Sequence, residues 1–253
     1  LRIVRYPSEI IDIQQRSRRM FMNVLAINGS PHMDEGNTAM ILNPFLDGMR
    51  DAGAKVELFY TQKLKIGPCN GDMSCWFKKP GKCGQDDDMR MLLPKLKAAD
   101  VIVWASPVYY AGITGPLKNL MDRQLPLHMS GEMASKRQKI VLVSSSGFWG
   151  ISMFEPILAQ MKAIYARPDG SSEFVGALLR PGAEAMRSLM EGKGKAILDS
   201  VFRAAKEAGR QLVNEGKISN ELQRDVSQKL MSDEDYKKGM EEYMERMKRS
   251  LAK

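Results

Sequence analysis

The sequence predicts an α/β protein built on a doubly wound parallel sheet. Three observations point there. Short, continuous apolar runs recur along the chain, and each is followed by a longer segment of helical period. Three of the runs also end in distinctive loops rich in serine, glycine and proline. Continuous apolar runs suit strands buried on both faces, as parallel strands are. Regular alternation of strand and helix argues for right-handed crossovers that cover both faces of the sheet.

The elements follow in order from Met22. Val24, Leu25, Ala26 and Ile27 form a first buried strand that stops at Asn-Gly-Ser-Pro. A helix is expected to begin near Asn37 and end near Gly53, with Pro44 as an interior kink point. "KVELFY" reads as the second strand. After a cysteine-containing loop, the acidic start of "DDDMRMLLPKLKAAD" suits a helix N-terminus. "DVIVWASPVYYAG" opens with a third strand, and "TGPLKNLMDRQL" is a helix with Pro116 in its first turn, where proline is tolerated. "KIVLVSSSGFWG", "SMFEPILAQMKAIYA" and "SEFVGALLRPG" supply the fourth strand, the next helix and the fifth strand. Beyond residue 182 the pattern is helical, broken at "EGKG", "NEGKIS" and "MSDED". Met186, Leu189 and Met190, then Ile197, Val201, Ala204 and Ala208, fall at helical spacing. That stripe predicts packing against the domain or a second subunit. The chain therefore divides into residues 1–21, read as an upstream extension or an expression remnant, residues 22–182, the α/β domain, and residues 183–253, a helical extension.

Composition narrows the function classes. The 253 residues are enough to bury a sizeable core. Hydrophobic content of 43% and charged content of 27% are ordinary for a soluble globular protein. No apolar run approaches the roughly 18 residues needed to span a bilayer, and the first residues lack a secretory signal. The net charge of +8 is spread out: Arg2, Arg5, Arg16, Arg18 and Arg19 stand near Glu9 and Asp12, and the C-terminal third mixes both signs. Without a basic stripe, neither nucleic acid nor a membrane is expected as a partner. Three clustered cysteines suit a reducing cytoplasm, with metal or redox chemistry rather than a disulfide framework.

In an open parallel sheet, ligands bind outside the carboxyl ends of the strands. Three such ends carry distinctive loops. In "NGSPHMDEGNT", Ser30, Asn37 and Thr38 offer polar groups beside a helix start whose amides and dipole favour an anion. Gly29 and Gly36 let that backbone fold tightly. Neither common glycine-rich nucleotide loop occurs, and an ordinary capped strand–turn–helix would look the same. In "SPVYYAGITGPLK", Tyr109 and Tyr110 can stack on an aromatic ring or simply close the core. Residues 144–149 pair small serines and glycine with Phe148 and Trp149. A phosphate cradle, an aromatic wall and a polar edge are together the parts needed to hold flavin mononucleotide (FMN).

The stretches "INGSPH", "GNT", "GKCGQDDDM" and "SPVYYAGITGPLKNLMDR" make the likeness specific. Over residues 22–182 the chain resembles the NADPH-dependent FMN reductase and iron–sulfur flavoprotein branch of the flavodoxin-like superfamily. The resemblance implies a five-stranded flavodoxin-like sheet in the order 2-1-3-4-5. It implies FMN phosphate at Ser30, Asn37 and Thr38, with Pro107, Val108, Tyr109 and Tyr110 beside the isoalloxazine ring. Ser145, Ser146 and Gly147 would touch the ring's other edge. His32 stands where many relatives carry arginine. The implied activity is hydride uptake from NAD(P)H by an FMN oxidoreductase that passes electrons to a small-molecule or protein acceptor, in a homodimer or homotetramer. The alternatives are an FMN electron carrier reduced by a protein donor, with or without an iron–sulfur cluster, and a regulatory or nucleic-acid-binding protein on the same scaffold. Carriers of this type are often acidic, and this chain is basic.

"CNGDMSCWFKKPGKC" completes the likeness. Cys69, Cys75 and Cys83 match the first, third and fourth cysteines of the branch's cluster motif, and Asp72 takes the second place. Cubane clusters are normally held by four thiolates. A carboxylate is a harder ligand, and a mixed site could also take zinc. The favoured reading is a loop that keeps the family's shape without metal. An iron–sulfur cluster held by Cys69, Asp72, Cys75 and Cys83 is the other.

Overall fold

A computed structural model describes residues 21–129, 137–166, 171–190 and 194–251. The stretch read as an N-terminal extension lies outside them except for Phe21, as does most of the break at "EGKG". Five strands form one parallel sheet: β1 (Asn23–Asn28), β2 (Lys55–Tyr60), β3 (Val101–Pro107), β4 (Gln138–Ser145) and β5 (Ser172–Arg180). Their order is β2-β1-β3-β4-β5, as the resemblance implies. Asn28 pairs with Ala105, Pro107 with Ser145, and Ser145 with Arg180. The carboxyl ends of β1, β3, β4 and β5 therefore lie side by side along one edge.

Alternate side chains of each strand enter opposite cores. Leu25, Ile27, Ile102, Trp104, Ile140 and Leu142 face one side. There they meet α3 (Met89–Ala98), α4 (Gly115–Asp122) and α6 (Glu155–Tyr165), which follow β2, β3 and β4. Val24, Ala26, Val103, Val141, Val143 and Leu178 face the other side. That side is covered by α1 (Asn37–Asp51), together with α8 (Lys195–Glu215) and α9 (Asn220–Ser227) from the C-terminal region. Two short helices bound the cysteine region: α2 (Ser74–Phe77) lies within the loop and carries Cys75, and α5 (Leu125–Met129) receives the Trp76 indole N–H on its Leu125 carbonyl. Two more, α7 (Ala185–Leu189) and α10 (Asp233–Leu251), lie beyond β5.

α1 continues through Pro44. Interior proline costs about 3 kcal/mol. Ile41, Leu42, Phe45, Leu46 and Met49 are fully buried around it, each worth roughly 1.5–3 kcal/mol, so packing outweighs the missing N–H. α8 runs directly against α1, where glycines permit close backbone approach. A Cβ at Gly48 would stand 1.8 Å from the Lys206 carbonyl oxygen, and one at Gly209 would stand 2.0 Å from the Phe45 carbonyl oxygen. Leu198, Val201, Ala205, Ala208 and Leu212 complete the buried stripe of α8.

α9 is fastened at both ends. The Ser219 hydroxyl accepts the Leu222 N–H at 3.3 Å. At the other end the buried Arg180 guanidinium donates to the carbonyls of Pro181, Val226 and Gln228. Burial pulls Arg180 down to about 10, so it remains a cation at neutral pH beside the negative end of the α9 dipole. Among the described residues, no helix is long and apolar enough to cross a membrane.

Candidate functional site

The loop after β1 is shaped by its own polar atoms. The Asn28 side-chain oxygen accepts the Ser30 N–H at 2.8 Å, and the Ser30 hydroxyl accepts the His32 N–H at 3.3 Å. A 3-10 turn over Met33–Glu35 then leads through Gly36 into α1. A Cβ on Gly36 would stand 2.6 Å from the Ser30 hydroxyl oxygen, so a side chain here would displace the Ser30 hydroxyl from the His32 N–H. Two tethers hold the turn from outside. Tyr60, at the end of β2, donates its hydroxyl to Asp34, and Arg187 of α7 donates to the Glu35 carbonyl. Burial and Asp34 push the Tyr60 phenol up to about 12, so it stays a donor.

The loops after β3 and β4 close on this cradle. Thr38 and Ser145 share a hydrogen bond of 2.8 Å between their hydroxyls, which joins the first turn of α1 to the end of β4. The Val108 N–H donates to the Ser145 carbonyl at 2.8 Å. Ser144 donates to the Ser106 carbonyl, while the Ser106 hydroxyl accepts the Thr114 N–H. The serines of "SSS" thus stitch strand ends together.

A pocket of about 130 Å³ results, lined by Ser30, His32, Asn37, Thr38, Pro107, Val108, Tyr109, Ser145 and Gly147, with Ala183 and Glu184. Nine residues singled out in the sequence meet there. Two others do not. Tyr110 is fully exposed with a left-handed backbone (φ 49°), and Ser146 lies behind the wall. Ser146 donates its N–H to the Arg180 carbonyl, accepts the Ala183 N–H on its own carbonyl, and accepts the Phe148 N–H on its hydroxyl. These bonds bring Ala183 and Glu184 to the pocket, and neither residue carries a motif of its own. The Asn37 side-chain oxygen is buried without a protein partner.

The pocket's chemistry fits the polar end of FMN. Small hydroxyls, a free amide oxygen and the start of α1 can receive a phosphate and its ribityl chain. No lysine or arginine lines it; His32 and Glu184 are the ionisable groups beside Tyr109. Phosphate recognition here would rest on neutral donors and the helix start rather than on a fixed cation.

Cys69, Asp72, Cys75 and Cys83 line one small pocket, with a carboxylate where a cubane cluster would take its fourth thiolate. Cys69 is exposed, Cys75 buried and Cys83 half-buried. Asp72 accepts the Ser74 N–H at 2.9 Å, and its carboxylate is committed to that turn. The buried Arg123 guanidinium approaches the Cys83 sulfur at 3.4 Å and pairs with Asp87 at 2.7 Å. Among the described residues, no three His, Cys, Asp or Glu side chains gather closely enough to hold a metal ion.

Known proteins place the chain in a family. It is 37% identical over 125 residues to an iron–sulfur flavoprotein of Methanocaldococcus jannaschii, covering 49% of this chain and 63% of that protein. An iron–sulfur flavoprotein of Archaeoglobus fulgidus is 33% identical over 124 residues, covering 49% and 59%. The matched region thus spans about three fifths of these relatives. The fold is similar to that of an NAD(P)H:quinone oxidoreductase from Methanothermobacter marburgensis, with a TM-score of 0.55 and 16% identity over 76% of this chain and 97% of that one. The sequence model of the NADPH-dependent FMN reductases matches residues 22–170, and the chain belongs to that family.

Proposed function

We propose that the protein is an FMN-dependent oxidoreductase that takes a hydride from NAD(P)H and passes electrons to a separate acceptor. The observation that carries this reading is the convergence of three strand-end loops on one pocket, within a family of FMN reductases. Ser30, Asn37, Thr38 and the first amides of α1 would hold the phosphate and ribityl chain. Pro107, Val108 and Tyr109 would border one side of the ring, with Ser145 and Gly147 at its other edge. The pocket is smaller than the roughly 300 Å³ that encloses a whole drug-sized ligand. The ring would therefore lie at the mouth, beside Tyr109 and Phe148, both substantially exposed. FMN, when bound, supplies the two-electron chemistry; the chain supplies position and exclusion of water.

A homodimer or homotetramer accords with Tyr109, Tyr110, Phe148 and Ile151 being exposed along the pocket edge. The test is stopped-flow mixing of the FMN-loaded protein with NADH and with NADPH. Bleaching of the flavin absorbance by at least one nucleotide is expected. Stable flavin absorbance with both would overturn the reductase reading in favour of a carrier fed by a protein donor.

A further inference from the structure

The wall of the proposed FMN pocket meets a phosphate with neutral donors, yet a phosphate monoester carries about −1.5 to −2 charge at neutral pH. The surroundings add negative charge of their own. Glu184 lines the pocket, and the turn after β1 carries Asp34 and Glu35. Asp34 is bonded to the Tyr60 hydroxyl, a neutral group that leaves the carboxylate's charge in place. Among the described residues, His32 is the one basic side chain in the lining. A dianion seated there needs a cation from outside the wall.

Arg187 of α7 stands at that position. Its guanidinium donates to the carbonyl of Glu35, in the turn between His32 and Asn37. Among the described residues it is the one guanidinium or ammonium group bonded to this turn, and the rest of its fork has no protein acceptor. The backbone beneath it is fixed. Ala183 donates its N–H to the Ser146 carbonyl at 2.8 Å, and Met186 is fully buried in the core. Glu184, three residues before Arg187, packs beside Gly147, where an added Cβ would stand 3.4 Å from its Cγ. Positions three apart on a helix share a face, so Arg187 rises on the pocket's side of α7. It lies beyond residues 22–170, the stretch that the family's sequence pattern covers.

We infer that Arg187 supplies the fixed positive charge for the FMN phosphate, closing the cradle from α7 while it holds the Glu35 carbonyl. This rests on the FMN reading above and adds a binding residue to it. A guanidinium suits both tasks, because its planar fork can donate to a carbonyl and to phosphate oxygens at once. Without that charge, Asp34, Glu35 and Glu184 oppose the phosphate but not the uncharged ring and ribityl chain.

The test is fluorescence titration of the flavin-free full chain with FMN and with riboflavin, which lacks only the phosphate, at low and at physiological salt. Arg187→Gln keeps an N–H donor for the Glu35 carbonyl and removes the charge. It should weaken FMN binding about tenfold, a difference of ~1.4 kcal/mol, and leave riboflavin binding unchanged. Arg187→Lys keeps the charge without the fork and should fall between. Added salt should weaken FMN binding to the wild type more than to Arg187→Gln, because the pair removed is a charge pair. The side chain is exposed, so neither substitution should move the melting temperature. Equal FMN affinity in wild type and Arg187→Gln overturns the assignment. So does a loss that is the same for FMN and riboflavin, or one that Arg187→Lys does not recover at all, since either makes Arg187 only a tether of the turn. In those cases the wild type still binds flavin and the FMN reading stands. A wild type that binds neither flavin removes that reading, and the assignment with it.

Discussion

Asn37 and Arg123 both bring buried polarity to the carboxyl edge of the sheet, and they answer to different tests. The Asn37 oxygen is buried at the proposed FMN pocket without a protein partner, so its natural complement is a ligand donor such as a ribityl hydroxyl. Asn37→Ala should weaken FMN binding about fivefold to tenfold, the worth of one hydrogen bond, measured by fluorescence titration of the apoprotein. Arg123 is a structural cation with a side chain 1% exposed, gripping Asp87, Gln85 and the Gly67 carbonyl beneath the cysteine loop. Arg123→Ala leaves Asp87 largely buried and unpaired, and should cost about 3–5 kcal/mol in urea unfolding. Burial alone would raise the Asp87 carboxyl; hydrogen bonds from Arg123, Met89 N–H and Gly67 N–H outweigh it and hold the group below its usual range. Its stabilising contribution is therefore complete above pH ~3.9 and fades as pH falls through the depressed folded value. The stability gap between wild type and Asp87→Asn should accordingly close on acidification below pH 4. At this scale the sequence displayed the pocket's polar residues because they sit in loops of distinctive composition. Glu184 was invisible because it reaches the pocket through the Ser146 hydrogen bonds to the strand β5 end, a tertiary arrangement without a local pattern.

Between elements, the crossing of α1 and α8 founds the proposed phosphate cradle, because α1 begins in the pocket and its middle rests on α8. Gly48 and Gly209 set the separation of the two helices. Gly209→Ala would drive a methyl group into the Phe45 carbonyl, and rigid helix backbones must shift to admit it. A loss of about 1–3 kcal/mol is expected, read as a lower urea midpoint with the unfolding slope unchanged. Gly53→Ala, by contrast, adds a Cβ that meets nothing within 4 Å, and its cost comes from the positive φ of 92° alone. β1, β3 and β4 were legible as strands because each carries a continuous apolar run, and "KVELFY", which alternates at the sheet's edge, coincides with β2. The apolar stripe of α8 was legible too, but not its partner. The glycine pairing joins residues some 160 positions apart, and periodicity carries no information about such contacts. Pro44 and Pro94 lie inside helices despite their local preference, because the buried faces around them dominate.

Across the whole molecule, stability and ligand binding draw on different parts of the C-terminal region. α8 and α9 contribute to the core beneath the sheet, and its buried residues run as far as Leu230. Among the described residues, α10 contributes none to either buried cluster. It reaches the sheet edge chiefly through Tyr236, whose ring stacks on Trp149 at 4.4 Å and whose hydroxyl holds the Gly147 carbonyl. Burial, together with nearby Glu184, raises the Tyr236 phenol, so it remains a hydrogen-bond donor through neutral pH. Trp149 in turn fills the space above Gly182, where a Cβ would stand 2.2 Å from the indole ring and where φ is +63°. The helix thus clamps the β4 loop from outside the core. Deleting residues 233–253 should leave the sheet folded, with the melting temperature lower by only a few degrees, about 1 kcal/mol for a protein of this size. FMN should nevertheless leave several-fold faster, because Gly147 loses its anchor while the cradle at Ser30 stays intact. Tyr236→Phe keeps the stacking and removes only the hydrogen bond, so its FMN off-rate should fall between the two. If the truncated chain unfolds cooperatively at a much lower temperature, α10 belongs to the core and this separation of roles is wrong. If it folds and holds FMN as long as the intact chain does, the clamp has no part in ligand retention.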